Sequence, residues 1–194
     1  MSDQQHNSFT QENIISYFKK NKKSLIIVSV LFIVIGFSFI FYQKNIDNKN
    51  TLISDKFNKA STLIDQNNIG ESKILLKEII INGHKFYSPL ALYLLIEKKI
   101  EKDNDKIIFY FDEILKINSL DKENVNLIKI KKTFFLFKTG KEEDIIKNLN
   151  PIINSNSVWK KTAIDLLREY YIHKGENLKA DQYKKLLDST KTGK

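Results

Sequence analysis

The chain has 194 residues, enough for one ordinary domain with an appendage. Lys and Arg number 32 against 23 Asp and Glu, a formal charge of +9, and cysteine is absent. The missing sulfur excludes a disulfide scaffold, a thiolate zinc site, a cysteine nucleophile and a lipid anchor on an N-terminal cysteine. Gly and Pro are scarce, with 6 and 2 copies, so long helices are expected rather than many short strands. Arg168 is the only arginine. Proteins that grip phosphates or base edges favour the planar guanidinium fork, so the positive balance does not point to nucleic acid.

The first segment, 1–23, is short and polar and reads as a cytoplasmic piece. Ser8 and Gln11 stand at capping-box spacing, and Phe9, Ile14 and Phe18 recur at near-helical intervals. The run Leu25–Tyr42, LIIVSVLFIVIGFSFIFY, holds 18 residues without a charge. A helix of that length spans about 27 Å, so a transmembrane signal-anchor is expected over 24–42. Lys19, Lys20, Lys22 and Lys23 crowd its N-terminal side. They are the topology-setting residues, placing the N-terminus in the cytoplasm and the bulk of the chain beyond an inner membrane. Residues 43–50 form a juxtamembrane connector that can continue as helix, because no Gly or Pro lies between Gly36 and Gly70.

Over 51–188 the pattern becomes periodic. Gly70, Gly140 and Gly175 are placed at multiples of 35, and the missing member falls at Asp105, inside the turn-forming run Asp103-Asn104-Asp105. Apolar stripes flank each position. Ile53, Phe57, Ala60 and Ile64 precede Gly70, and Leu75, Leu76, Ile79 and Ile80 follow it. Ala91, Leu94, Leu95 and Ile96 precede Asp105, in a helix with Pro89 in its first turn and Ser88 as its cap. Ile107, Phe111, Ile114 and Leu115 follow. Leu127, Ile130, Phe134 and Phe137 lead to Gly140, and Ile145, Ile146 and Leu149 come after it. Trp159, Ala163, Leu166 and Tyr170 lead to Gly175, and Ala180, Tyr183 and Leu187 follow.

The expected architecture is therefore all-α: one transmembrane helix, then a solenoid of about four degenerate helical hairpins resembling tetratricopeptide repeats. The tail 189–194 is expected to fray. The repeat-turn and packing positions are Gly70, Asp105, Gly140, Gly175, Ala91, Ala163, Ala180 and Trp159. Of the residues five places after each turn, only Ala180 is small; Leu75, Tyr110 and Ile145 depart from the repeat pattern. Pro151 is expected to end or bend its helix early.

No motif for chemistry stands out. His6, His84 and His173 are far apart, without partners at metal-ligand spacing. His84 reads as a turn residue and His173 as a favourable cation at a helix C-terminus. Glu142, Glu143 and Asp144 suit a helix N-terminus. No enzyme activity, catalytic residue, metal, cofactor, nucleic-acid partner or small-molecule substrate is expected. The aromatics, among them Phe86, Tyr87, Tyr93, Phe109, Tyr110, Phe134, Phe135, Phe137, Tyr170 and Tyr171, divide between hairpin packing and a concave peptide-binding surface.

Three stretches carry a family likeness. They are Tyr17-Phe18-Lys19-Lys20-Asn21-Lys22-Lys23-Ser24-Leu25-Ile26, Tyr87-Ser88-Pro89-Leu90-Ala91, and Trp159-x3-Ala163-x-Asp165-Leu166-Leu167 followed by Gly175-x4-Ala180-x2-Tyr183. Over 9–188 the chain resembles the tetratricopeptide-like ancillary subunits of the bacterial SecYEG translocon. The resemblance implies an inner-membrane protein with a periplasmic repeat domain. Its partners would be translocon subunits, a membrane-anchored periplasmic chaperone and emerging secreted polypeptides. A scaffold for envelope assembly or cell division is the alternative.

Overall fold

The structure, a computed structural model, describes residues 22–192. The N-terminal segment with Ser8, Phe9, Ile14, Phe18, Lys19 and Lys20 lies outside the described residues, as do the side chains of Lys22 and of 24–30. Eight helices follow one another, and no strand occurs among the described residues. They are α1 (Lys22–Asp65), α2 (Ile69–Asn82), α3 (Tyr87–Glu97), α4 (Asn104–Leu115), α5 (Lys122–Thr139), α6 (Glu142–Ile153), α7 (Lys160–His173) and α8 (Asn177–Thr192). The chain divides into two units, 1–52 and 53–194, with the boundary inside α1.

In the first unit the connector 43–50 is helical, as part of α1. The expected membrane anchor is corrected. No helix among the described residues is long and apolar enough to cross a membrane. The described run of exposed apolar side chains reaches from Leu31 to Tyr42 and gives way to Gln43 and Lys44. The transmembrane helix at 24–42 is withdrawn, and with it the single-pass inner-membrane localisation, the cytoplasmic N-terminus and the periplasmic C-terminal domain. Of the lysines named as topology-setting, Lys19 and Lys20 lie outside the described residues and Lys23 is exposed.

The second unit is a helical repeat-like array. Helices pair in sequence order around two buried clusters. The first joins Ile53 and Ala60 of α1 to Leu76, Ile79 and Ile80 of α2, Ala91, Leu92 and Leu95 of α3, and Ile107, Phe111 and Ile114 of α4. The second joins Ile145, Leu149 and Ile152 of α6 to Ala163, Ile164, Leu167 and Tyr170 of α7 and Ala180 of α8. Helix α5 serves both, through Ile128 on one side and Ile130 on the other. Each cluster is what an amphipathic helix must find, since a single hairpin cannot cover its own apolar stripe.

The turns are made differently from the glycine spacing. Between α1 and α2 the left-handed residue is Asn67, at φ 60°, and Asn68 caps α2 by accepting from the Glu71 N–H. Gly70 lies one step inside α2, exposed and with open space around its Cα. Asparagine tolerates the left-handed region well enough to replace glycine at such a turn. Between α3 and α4 the left-handed residue is Lys99, at φ 52°. The cap there is Asp103, whose carboxylate accepts from the N–H groups of Asp105 and Lys106. Asp105 is thus a first-turn acid in α4, not the turn itself. Gly175, at φ 76°, does form the left-handed turn after α7, and so does Gly83, at φ 74°, after α2.

Gly140 is needed for another reason. Its backbone is extended, at φ −81° and ψ 155°, and its N–H donates to the Leu136 carbonyl at 2.7 Å. A Cβ there would stand 2.8 Å from that oxygen. We expect Gly140→Ala to cost about 1–3 kcal/mol by forced displacement, and Gly175→Ala about 1–2 kcal/mol from left-handed strain alone. Gly70→Ala, in a helix, is expected to stabilise slightly. Urea unfolding of the three variants checks the order, and a destabilised Gly70→Ala would contradict it.

The helix ends follow from local chemistry. His84 Nδ1 accepts from the N–H groups of Phe86 and Tyr87 at 3.2 and 3.1 Å, so this imidazole caps α3. Its pKa is lowered by partial burial and by neighbouring Lys85, which keeps that nitrogen free to accept. Ser88, expected as the cap, is instead buried inside α3 and donates to the Ile79 carbonyl at 2.7 Å. Asp121 caps α5 through the Asn124 N–H. Helix α6 continues past the exposed Pro151 to Ile153 before it ends. Ala91 and Ala163 are fully buried and Ala180 nearly so, which lets neighbouring helices approach closely, and Trp159 packs half-buried on the second cluster.

Candidate functional site: an aromatic cleft between α3, α4 and α5

The sequence-selected residues do not converge. Gly70, Asp105, Gly140 and Gly175 sit at or near successive helix junctions, and Ala91, Ala163, Ala180 and Trp159 belong to the two interior clusters. They hold the array together. Among the described residues no group of His, Asp and Glu side chains is arranged to hold a metal ion.

Three polar groups tie helices to one another. Glu101, in the α3–α4 connection, is buried and accepts from the Lys102 and Asp103 N–H groups at 3.1 and 3.3 Å. Its other oxygen lies 3.0 Å from Lys73 Nζ and 3.7 Å from Lys77 Nζ, both on α2. Burial pushes the Glu101 carboxyl upward, but contact with Lys73 and the two backbone donors outweighs it, and the net pKa is lowered. Glu142, at the start of α6, accepts from the Tyr171 hydroxyl at 2.9 Å and pairs with Lys179 at 3.1 Å and Lys174 at 3.5 Å. It joins α6 to α7 and α8, so the acidic run does more than favour a helix N-terminus. Ser157, before α7, donates to Glu123 Oε2 at 2.6 Å and accepts from Asn126 Nδ2 at 3.0 Å, which pins the α6–α7 loop to α5. Each of these groups is occupied in holding helices.

The feature that stands apart is a cleft of about 300 Å³ lined by Tyr93 and Ile96 of α3, Phe111 of α4, and Lys131, Phe134 and Phe135 of α5. Phe111 forms its floor and is 1 % exposed, while Phe134 is 56 % exposed at the rim. The rings of Phe111 and Phe135 lie 5.7 Å apart and tilted, so the floor is braced. Lys131 Nζ stands 4.3 Å from the centroid of the Tyr93 ring, a cation resting on a π face. Burial pushes the Tyr93 phenol up to about 12, so the ring is neutral at every ordinary pH. The ring series continues from Phe134 to Phe137 at 6.2 Å and from Phe137 to Tyr170 of α7 at 5.2 Å.

Chemically, this surface can hold an apolar side chain and an adjoining negative charge. Tyr93, Phe134 and Phe135 were visible in sequence as aromatics. Lys131 was hidden in a lysine-rich helix, and the only local signal was its helical spacing to Phe134. A second apolar depression, of about 560 Å³, lies along α1 and α2 between Ile53, Ile74 and Ile81, but its Lys56 already pairs with Glu78 at 3.1 Å.

No protein-family model, no curated protein and no solved structure matches the chain.

Proposed function

We propose that this chain is a non-enzymatic protein-interaction module of the tetratricopeptide-like class, which docks segments of other proteins on the α3–α5 face. The observation that carries the reading is the aromatic cleft, where Phe134 is 56 % exposed beside Tyr93 and Lys131. A packed array of helical hairpins offers an extended face for a partner segment, and its rigid elements lower the entropic cost of docking. The likeness to ancillary translocon subunits supports translocon components, a chaperone and secreted chains as the partners. The module is proposed without the anchor expected at 24–42, so association rests on its own surface.

The test is photo-crosslinking in cells, with a reactive group installed at Phe134 and, as a control, at exposed Lys161. Crosslinks to translocon subunits or to a chaperone from Phe134 but not from Lys161 are expected. Identical crosslinking from both positions, or crosslinks confined to unrelated abundant proteins, would sink the reading.

A further inference from the structure

We propose that the cleft selects a peptide segment in which a bulky apolar side chain is followed closely by carboxylates, the apolar group lying against Phe134 and Ile96 and the carboxylate meeting Lys131. The inference rests on the protein-interaction reading and adds the chemistry of the partner.

Charge complementarity carries it. Helix α5 bears Lys122, Lys129, Lys131, Lys132 and Lys138 against one acid, Glu123, and that acid is held by Ser157. Lys132 pairs with Asp112 of α4. Lys131 forms no ion pair among the described residues and rests only on the Tyr93 ring. Glu113 of α4 pairs with Lys116, and Glu97, at the end of α3, with Lys98. The cleft is therefore an apolar recess with one uncompensated ammonium at its wall. An ammonium resting on a ring face keeps N–H donors free, and a carboxylate brought beside it in a partly desolvated interface supplies the charge pair it lacks.

A nucleic acid fits less well. Strand binding relies on a row of cations that follows the phosphates. The one arginine, Arg168, is engaged by Asp165 and Glu169 on α7.

The experiment uses the full chain and two labelled synthetic probes. One is a Gly-Ser peptide with a tryptophan followed by glutamates, and the other has lysines in place of the glutamates. The acidic probe is expected to bind about tenfold more tightly, with an affinity that falls as salt rises. Lys131→Met should abolish that preference and flatten the salt dependence, Phe134→Ala should weaken both probes, and Lys161→Met should change neither. Circular dichroism confirms that each variant is folded. Equal affinity for the two probes, or a preference that survives Lys131→Met, overturns the inference; if Phe134→Ala still weakens both, the protein-interaction reading stands. Absence of binding by either probe overturns the inference. Displacement of the acidic probe by a single-stranded oligonucleotide that binds more tightly overturns it in favour of nucleic acid.

Discussion

Truncation of Phe111 to alanine is expected to lower the unfolding free energy by about 3–5 kcal/mol, the range found for a fully buried aromatic. The ring is 1 % exposed and packs against Phe135 at the junction of α4 and α5. Its loss removes apolar contact and leaves a void under the cleft that neighbouring rings cannot collapse to fill, because Phe135 is already held between α5 and the first cluster. For a chain of this size, a loss of 3–5 kcal/mol corresponds to a melting point lower by roughly 10 °C. Phe111→Leu keeps most of the volume and is expected to cost about 1 kcal/mol. Denaturant titration of both variants checks the pair. A cost below about 1 kcal/mol for Phe111→Ala would mean that the ring is not the keystone of the α4–α5 contact.

The second large effect is expected at Glu101. Glu101→Ala leaves two backbone N–H groups without an acceptor and two ammonium groups facing a buried void. An intact, fully buried ion pair that loses one member costs about 3–5 kcal/mol. Here Lys73 and Lys77 are about a third exposed, with side-chain exposures of 31 % and 35 %, and can turn to water. The expected cost is therefore about 1–3 kcal/mol, set mainly by the orphaned backbone donors.

The same residue gives a pH dependence with a definite sign. Its folded pKa lies below the ordinary 4.5, so the carboxylate contributes stability that is fully present above that value. The contribution is lost as pH falls through the folded pKa. Wild-type stability should thus drop on acidification below about pH 4.5, and Glu101→Gln should reduce the slope in that window while leaving neutral-pH behaviour of the other carboxylates intact. Unfolding midpoints between neutral and acid pH measure it, and an unchanged slope in Glu101→Gln would assign the acid sensitivity to other groups.

Much of the array could be read from the chain. The apolar stripes at Leu76, Ile79 and Ile80, at Ile107, Phe111 and Ile114, and at Ala163, Leu166 and Tyr170 fall on the buried faces of the helices they predict. Spacing along one helix is a local property, so it survives without knowledge of the partner helix. The turns were less legible. Gly70 and Asp105 lie a few residues after the true left-handed positions, Asn67 and Lys99. Glycine marks only one of several ways to reverse a chain, and a capping asparagine or aspartate serves as well. At Gly140 the constraint is the approach of the Leu136 carbonyl, which no spacing reveals.

The anchor shows the opposite failure. The charge-free run Leu25–Tyr42 raises the expectation of an anchor, whereas no helix among the described residues is long and apolar enough to cross a membrane, and α1 continues as one helix to Asp65.

Taken alone, the sequence determined the all-helical content, the order of the helices and the faces they bury, because hydrophobic periodicity and scarce turn residues act within each segment. Tertiary packing decided which aromatics are interior and which are open. Phe111 and Tyr170 are buried, while Phe134 is exposed at the rim of the cleft that Tyr93 also lines. The placing of Lys131 on the Tyr93 ring depends on bringing together residues 38 positions apart, so only the folded chain creates it.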